Sequence, residues 1–192
     1  MNLEIDRVLA FWFGREGDPD WGESREDWWK KDPDFDRACR DGFLNLHERA
    51  LRGDLDDWLG SNEGSLALVI LLDQLPRNMF RGSPRMYASD TKAREVASHI
   101  DAEGFDAAMT DVQKLFAHLP FEHHEDLASQ LRHVAFVQTS YHGPRRDQCL
   151  KAAERHLEII ERFGRFPHRN EILGRVSTPE EIAFLEEPNS SF

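Results

Sequence analysis

The stretch SLALVILLDQL, residues 65 to 75, is apolar on nearly every side of a helical wheel. A helix of that kind has no face to give to water, so it must run through the middle of an assembly of other helices. Its unbroken apolar run, residues 66 to 72, is far too short to cross a bilayer. The chain's 192 residues, 40% hydrophobic and 31% charged, are enough to build one surrounding core without disulfide or metal staples. Pro76 follows at once and predicts the end of this central helix.

The rest of the chain reads as further helices, and strand signals are scarce. NLEIDRVLAFWF places Leu3, Val8, Phe11 and Trp12 at helical spacing before Gly14. In DPDFDRACRDGFLNLHERALRG, Asp32 is the N-cap, Pro33 the first helical residue and Gly53 the stop. Ser83-Pro84 opens a helix running through Ala93, Val96 and Ile100 to Gly104. Another covers about 111–118 and is interrupted by Pro120; a third, about 122–140, presents Leu127, Leu131, Val134 and Ala135 to the core. Pro144 starts a helix whose inner face holds Cys149, Ala153, His156, Ile160 and Phe163. STPEE, with Thr178 and Glu181, is a capping box. About seven to nine helices with short connections make an all-α domain of antiparallel neighbours spanning residues 1–192.

Charge and motifs narrow the function. A net charge of −12 argues against nucleic acid and anionic membrane as partners. MNLEIDRVLAFWF carries Glu4 and Asp6 where a secretory leader would be basic, and Cys39 and Cys149 form no disulfide framework, so the protein is expected to be cytoplasmic. No GxGxxG, P-loop or GxSxG is present, and no cofactor is expected.

Polar groups gather in three stretches at proline-marked helix ends: DQLPRNMFRG (73–82), HLPFEHHEDLASQ (118–130) and HLEIIERFGRFPHRN (156–170). Ionised side chains so close to apolar faces are costly unless paired. Each Pro-Arg-Asn unit alone reads as a corner where Arg77 and Asn78, or Arg169 and Asn170, satisfy terminal backbone groups. Together the stretches offer more than corners need, and they predict a pocket. Asp73, Gln74, Arg77, Asn78, Arg165, Arg169 and Asn170 are its candidate ligand-binding residues, and His123, Glu125, His156 and His168 its acid–base candidates. His123 and His168 stand beside prolines at expected helix starts, where the helix dipole lowers an imidazole pKa. HLPFEHHE also contains metal donors, but His118 and His123 straddle a proline and adjacent His123 and His124 diverge on a helix, so no metal site is expected.

These stretches, with VLAFWFG at 8–14, GDLDDWL at 53–59 and RHLEIIERFGRFPHRNEILGRVSTPEE at 155–181, resemble the bacterial family called domain of unknown function 924. The resemblance runs nearly end to end. It implies a TPR-like array of antiparallel helix pairs and no established activity, and the family's polar positions fall on the candidates above. His124 stands where the family usually has serine and His118 where it has an aromatic residue, which further weakens a metal site built on them. Three readings follow: binding of a small anion or peptide carboxylate in an Arg/His-lined pocket; an enzyme using a histidine and Glu125 there; or a protein-interaction module, with a homodimer among its arrangements.

Overall fold

The computed structural model describes residues 2–19 and 21–191, and among these it contains eight α-helices and no strand. They are α1 (Leu3–Phe13), α2 (Pro33–Arg52), α3 (62–79), α4 (Asp90–Glu103), α5 (Asp111–Glu122), α6 (Leu127–Thr139), α7 (Arg146–Phe163) and α8 (Pro179–Leu185). The fold is all-α, as the sequence predicts, and its packing is compatible with a TPR-like arrangement. None of the described helices is long and apolar enough to cross a membrane.

α3 is the axis. Residues Leu66 to Leu72 and Leu75 are all 2% exposed or less, and the helix packs on α2 through its second half and on α4 through its first. Its first turn runs so close to the preceding Asp56–Gly60 turn that a Cβ on Gly64 would sit 2.1 Å from the Trp58 carbonyl oxygen. Only glycine fits there.

Pro76 does not end this helix. Residues Ile70–Gln74 form a π-helical turn, and the chain continues as an α-helix over Leu75–Met79 with Pro76 inside. Such a turn leaves carbonyls without backbone donors, and side chains from neighbouring elements supply them. His47 Nδ1 lies 2.9 Å from the Leu71 oxygen, and Ser89 Oγ donates to the Leu72 oxygen at 2.5 Å, the carbonyl that Pro76 has no N–H to reach. The first Pro-Arg-Asn unit is therefore part of a helix rather than a corner.

Other boundaries differ for related reasons. Pro120 lies inside α5, which continues to Glu122. Gln130 Nε2 donates to the carbonyls of Phe121, Glu122 and His124, gathering the loose end of α5. Ser83-Pro84 caps a 3₁₀ turn (Pro84–Tyr87), and α4 begins only at Asp90. α7 begins at Arg146, after Pro144 and a left-handed Arg145. The expected inner face of α6 is rotated: Ser129, Gln130, His133, Val134, Phe136 and Val137 are buried, while Leu127 is 46% and Leu131 49% exposed and Ala135 is also exposed. Gln130 must face inward to reach the α5 carbonyls, and leaving those carbonyls bare costs about 1–3 kcal/mol each. That outweighs the burial of two leucines.

Most buried apolar residues form one cluster around α3. A second, small cluster joins Ile159 and Ile160 of α7 to Phe166 and to Phe184 of α8.

Candidate functional site

The π-helical turn puts Asp73 and Gln74 inside the protein, with Asp73 fully buried. Asp73 then meets His123 from the end of α5 and two neighbours on its own helix. Its carboxylate oxygens lie 2.8 and 2.9 Å from His123 Nδ1, Gln74 Nε2 donates to it, and Arg77 Nη1 is 3.2 Å away. Arg77 spans onward, donating from Nη1 and Nη2 to the two oxygens of Asp90 at 2.9 and 3.0 Å. Asp90 also accepts from Arg169 Nη1 at 3.3 Å. The chain Arg169–Asp90–Arg77–Asp73–His123 thus joins a short turn, α4, α3 and the end of α5.

Arg169 is the least compensated member. Its side chain is 8% exposed, it shares Asp90 with the better-placed Arg77, and its Nε–H has no hydrogen-bond partner among the described residues. Its guanidinium lies between the rings of Tyr87 and Phe166, 4.5 and 4.6 Å from their centroids. Beside it opens a pocket of about 290 Å³, whose walls include Tyr87, Asp90, Thr91, His123, His124, Glu125, Arg169 and Leu173. A larger cavity, of about 530 Å³, lies against α1 and the starts of α3 and α5, and none of the candidate residues lines it.

Protonation follows from these contacts. Burial alone would raise the Asp73 carboxyl, but the charges of Arg77 and His123 hold it down to about 2. Burial lowers the His123 pKa, Arg77 adds to the effect and Asp73 opposes it. Arg77 is a firm cation because Asp73 and Asp90 outweigh the burial of its charge. Burial, followed by Arg77, pulls the Arg169 pKa below the usual arginine value. Behind the pocket, Glu122 is pushed up to about 8 by burial and by the charge of Asp73. Glu122 Oε1 lies 3.6 Å from His156 Nδ1 and 3.8 Å from His133 Nε2, and burial holds His156 down to about 3 and His133 well below its ordinary value. Acid and imidazoles there are neutral at neutral pH.

The three polar stretches do come together, though not every candidate reaches the pocket. Asp73, Arg77, His123 and Arg169 form the network, with Gln74 supporting Asp73 and Glu125 on the pocket wall. Glu125 is bound by Arg175 at 2.6 and 2.9 Å and accepts the Phe166 N–H at 2.8 Å, so the carboxylate on His123 is Asp73 rather than Glu125. Asn78 turns the other way, toward Asp36, which also holds Arg81. Arg165 pairs with Glu181 at 2.6 and 2.8 Å, and Asn170 bridges Arg175, Ser177 and Glu181. These two fasten the turn that carries Arg169. His156 lies behind the pocket, donating from Nδ1 to the Ala152 carbonyl.

His123 follows the C-terminus of α5, and His168 sits in the 3₁₀ turn Pro167–Arg169, so neither stands at an α-helix start. Their low pKa values come from burial, with Arg77 acting on His123 and Arg169 on His168, which lies at about 4. Of the histidines weighed and set aside as metal donors, His118 stacks on Phe136 and pairs with Asp101, while His124 pairs with Asp126. Among the described residues no group of three or more such donors is arranged to hold an ion.

The sequence reading missed Asp90, Tyr87, Arg175 and Glu181. Asp90 looks in sequence like an ordinary acid within the helix expected from Ser83-Pro84, and its partner Arg169 is 79 residues away.

No curated protein matches this chain. A solved structure of a protein of unknown function from Agrobacterium tumefaciens is similar along nearly the whole length, with 43% identity, 95% of this chain and 96% of that chain covered, and a TM-score of 0.82. A family model described as bacterial protein of unknown function matches residues 8–189. With that match and the shared all-helical fold, the chain belongs to the bacterial family DUF924.

Proposed function

We propose that this protein binds a small carboxylate in the pocket beside Arg169. One observation carries the reading: a guanidinium buried at the pocket wall, which shares its paired carboxylate with Arg77 and whose Nε–H has no partner among the described residues. Buried donors are ordinarily satisfied, and a planar carboxylate is the partner whose geometry matches a guanidinium edge. The two flanking rings hold that edge in place, which lowers the ordering cost of binding. At ~30 Å³ per water-sized group, the pocket suits a ligand of roughly ten non-hydrogen atoms.

The test is a thermal-shift titration with acetate, succinate and inorganic phosphate, on the wild type and on Arg169→Leu. The variant should fold, because Asp90 keeps Arg77. A carboxylate should raise the wild-type midpoint, a hundredfold excess over Kd adding about 2.7 kcal/mol of stability. It should leave Arg169→Leu unmoved. An equal response from both proteins, or none from the wild type, would refute the reading.

A further inference from the structure

A base faces the same pocket. Asp73 is fixed by Arg77 and Gln74 on the π-helical turn, and both its oxygens point at His123 Nδ1. An ionised carboxylate in that position takes the Nδ1–H and leaves the lone pair on Nε2. Among the described residues no hydrogen bond reaches Nε2, and His123 lines the pocket together with Arg169. An oriented imidazole base and an under-compensated cation, set in one small cavity, are the two parts that addition of water to a carbonyl requires.

We propose that Asp73 and His123 form a general-base dyad that hydrolyses a small acyl ester or amide, whose acid product is the carboxylate held at Arg169. The proposal rests on the binding reading above and gives that ligand a chemical origin. His123 Nε2 takes a proton from water as the water oxygen bonds to the acyl carbon. The carbonyl electron pair moves onto its oxygen, which faces the guanidinium of Arg169. As the adduct collapses, the carbon–oxygen or carbon–nitrogen bond breaks, and the leaving group takes the proton back from the imidazolium. One water is consumed, and no oxidant or reductant is needed. His123 is then a catalytic residue, and Asp73 a positioning residue that acts through it.

Bromoacetate tests the arrangement directly, because its carboxylate seeks Arg169 while its carbon alkylates any nucleophile sharing the pocket. Competing thiols are poor: Cys39 is fully buried, and Cys149 is pushed up to about 11 by burial. Peptide mapping should find the carboxymethyl group on His123. Acetate at saturating concentration should slow the labelling, and neutral bromoacetamide should react there more slowly. Asp73→Asn should bind acetate at least as tightly, having lost a negative charge, yet be labelled at least tenfold more slowly. His123→Gln should lower phenyl acetate hydrolysis at least tenfold. If acetate stabilises the wild type but His123 stays unmodified, or hydrolysis survives in His123→Gln, the dyad is refuted and the binding reading stands. If acetate neither stabilises nor protects, both fail. Should Asp73→Asn not fold, the nitrogen-15 shifts of wild-type His123 decide instead: an Nδ1–H tautomer supports the dyad, and an Nε2–H tautomer overturns it.

Discussion

Asp90 compensates two guanidiniums at once, and this asymmetry separates two variants. Asp90→Asn leaves Arg77 to Asp73 and Arg169 with no paired carboxylate among the described residues, and should cost about 3–5 kcal/mol in urea unfolding. Arg169→Leu should cost clearly less, since every acid keeps a partner; equal losses would mean that Asp90 serves mainly Arg169. Glu122 yields a pH prediction of opposite sign to its surroundings. Its folded pKa of about 8 lies above the ordinary 4.5, so between those values the unfolded chain has lost a proton that the native protein keeps. Its contribution is therefore full below pH 4.5 and fades as pH rises to about 8. Asp73 and His156, with folded pKa values of about 2 and about 3, are depressed, so their contributions are present above their unfolded values and are lost on acidification. Glu122→Gln should thus gain on the wild type across pH 4.5 to 8, at up to about 1.4 kcal/mol per pH unit, with chemical denaturation at a series of pH values as the measurement. A constant difference would show that Glu122 titrates normally. Arg169, His123 and Asp73 were legible as chemistry-bearing residues because they are charged or titratable beside apolar helices. Asp90, which holds Arg169, and Arg175, which holds Glu125, were not, because they acquire their roles only through contacts between elements far apart in sequence.

At the scale of elements, helix content and several caps follow from local rules. Asp32, Pro33 and Gly53 bound α2 where capping chemistry places them, and Thr178 and Glu181 form their capping box. Pro76 misleads because its usual penalty assumes unmet carbonyls, and here His47 and Ser89 come from other elements to meet them, as Gln130 does for the carbonyls at the end of α5 beyond Pro120. No local pattern carries that information. The rotation of α6 has the same origin and can be measured. Gln130→Leu should lose several kcal/mol, at about 1–3 per orphaned carbonyl, and should weaken acetate binding by loosening the segment that holds His123. Leu131→Asp, on the outer face, should stay within about 0.5 kcal/mol of the wild type. If the costs were reversed, α6 would face the other way.

Across the whole molecule, the pocket's walls belong to two packing units. Asp73 and the end of α5 stand on the large central cluster, while Arg169 rides on a turn anchored by the small cluster of Phe166 and Phe184. A charged clasp joins them, Glu125 with Arg175 across the pocket rim, and a second, Glu181 with Arg165 and Asn170, ties the turn to α8 behind it. Glu181→Ala removes the second clasp and the capping box of α8 together. Acetate affinity should fall several-fold although the nearest altered atom touches no ligand, and isothermal titration of the variant would show it; an unchanged affinity would mean the turn holds itself. The C-terminal segment is therefore a tuning handle. Substitutions confined to it can strengthen or relax the grip on a bound molecule while every group in contact with that molecule stays the same.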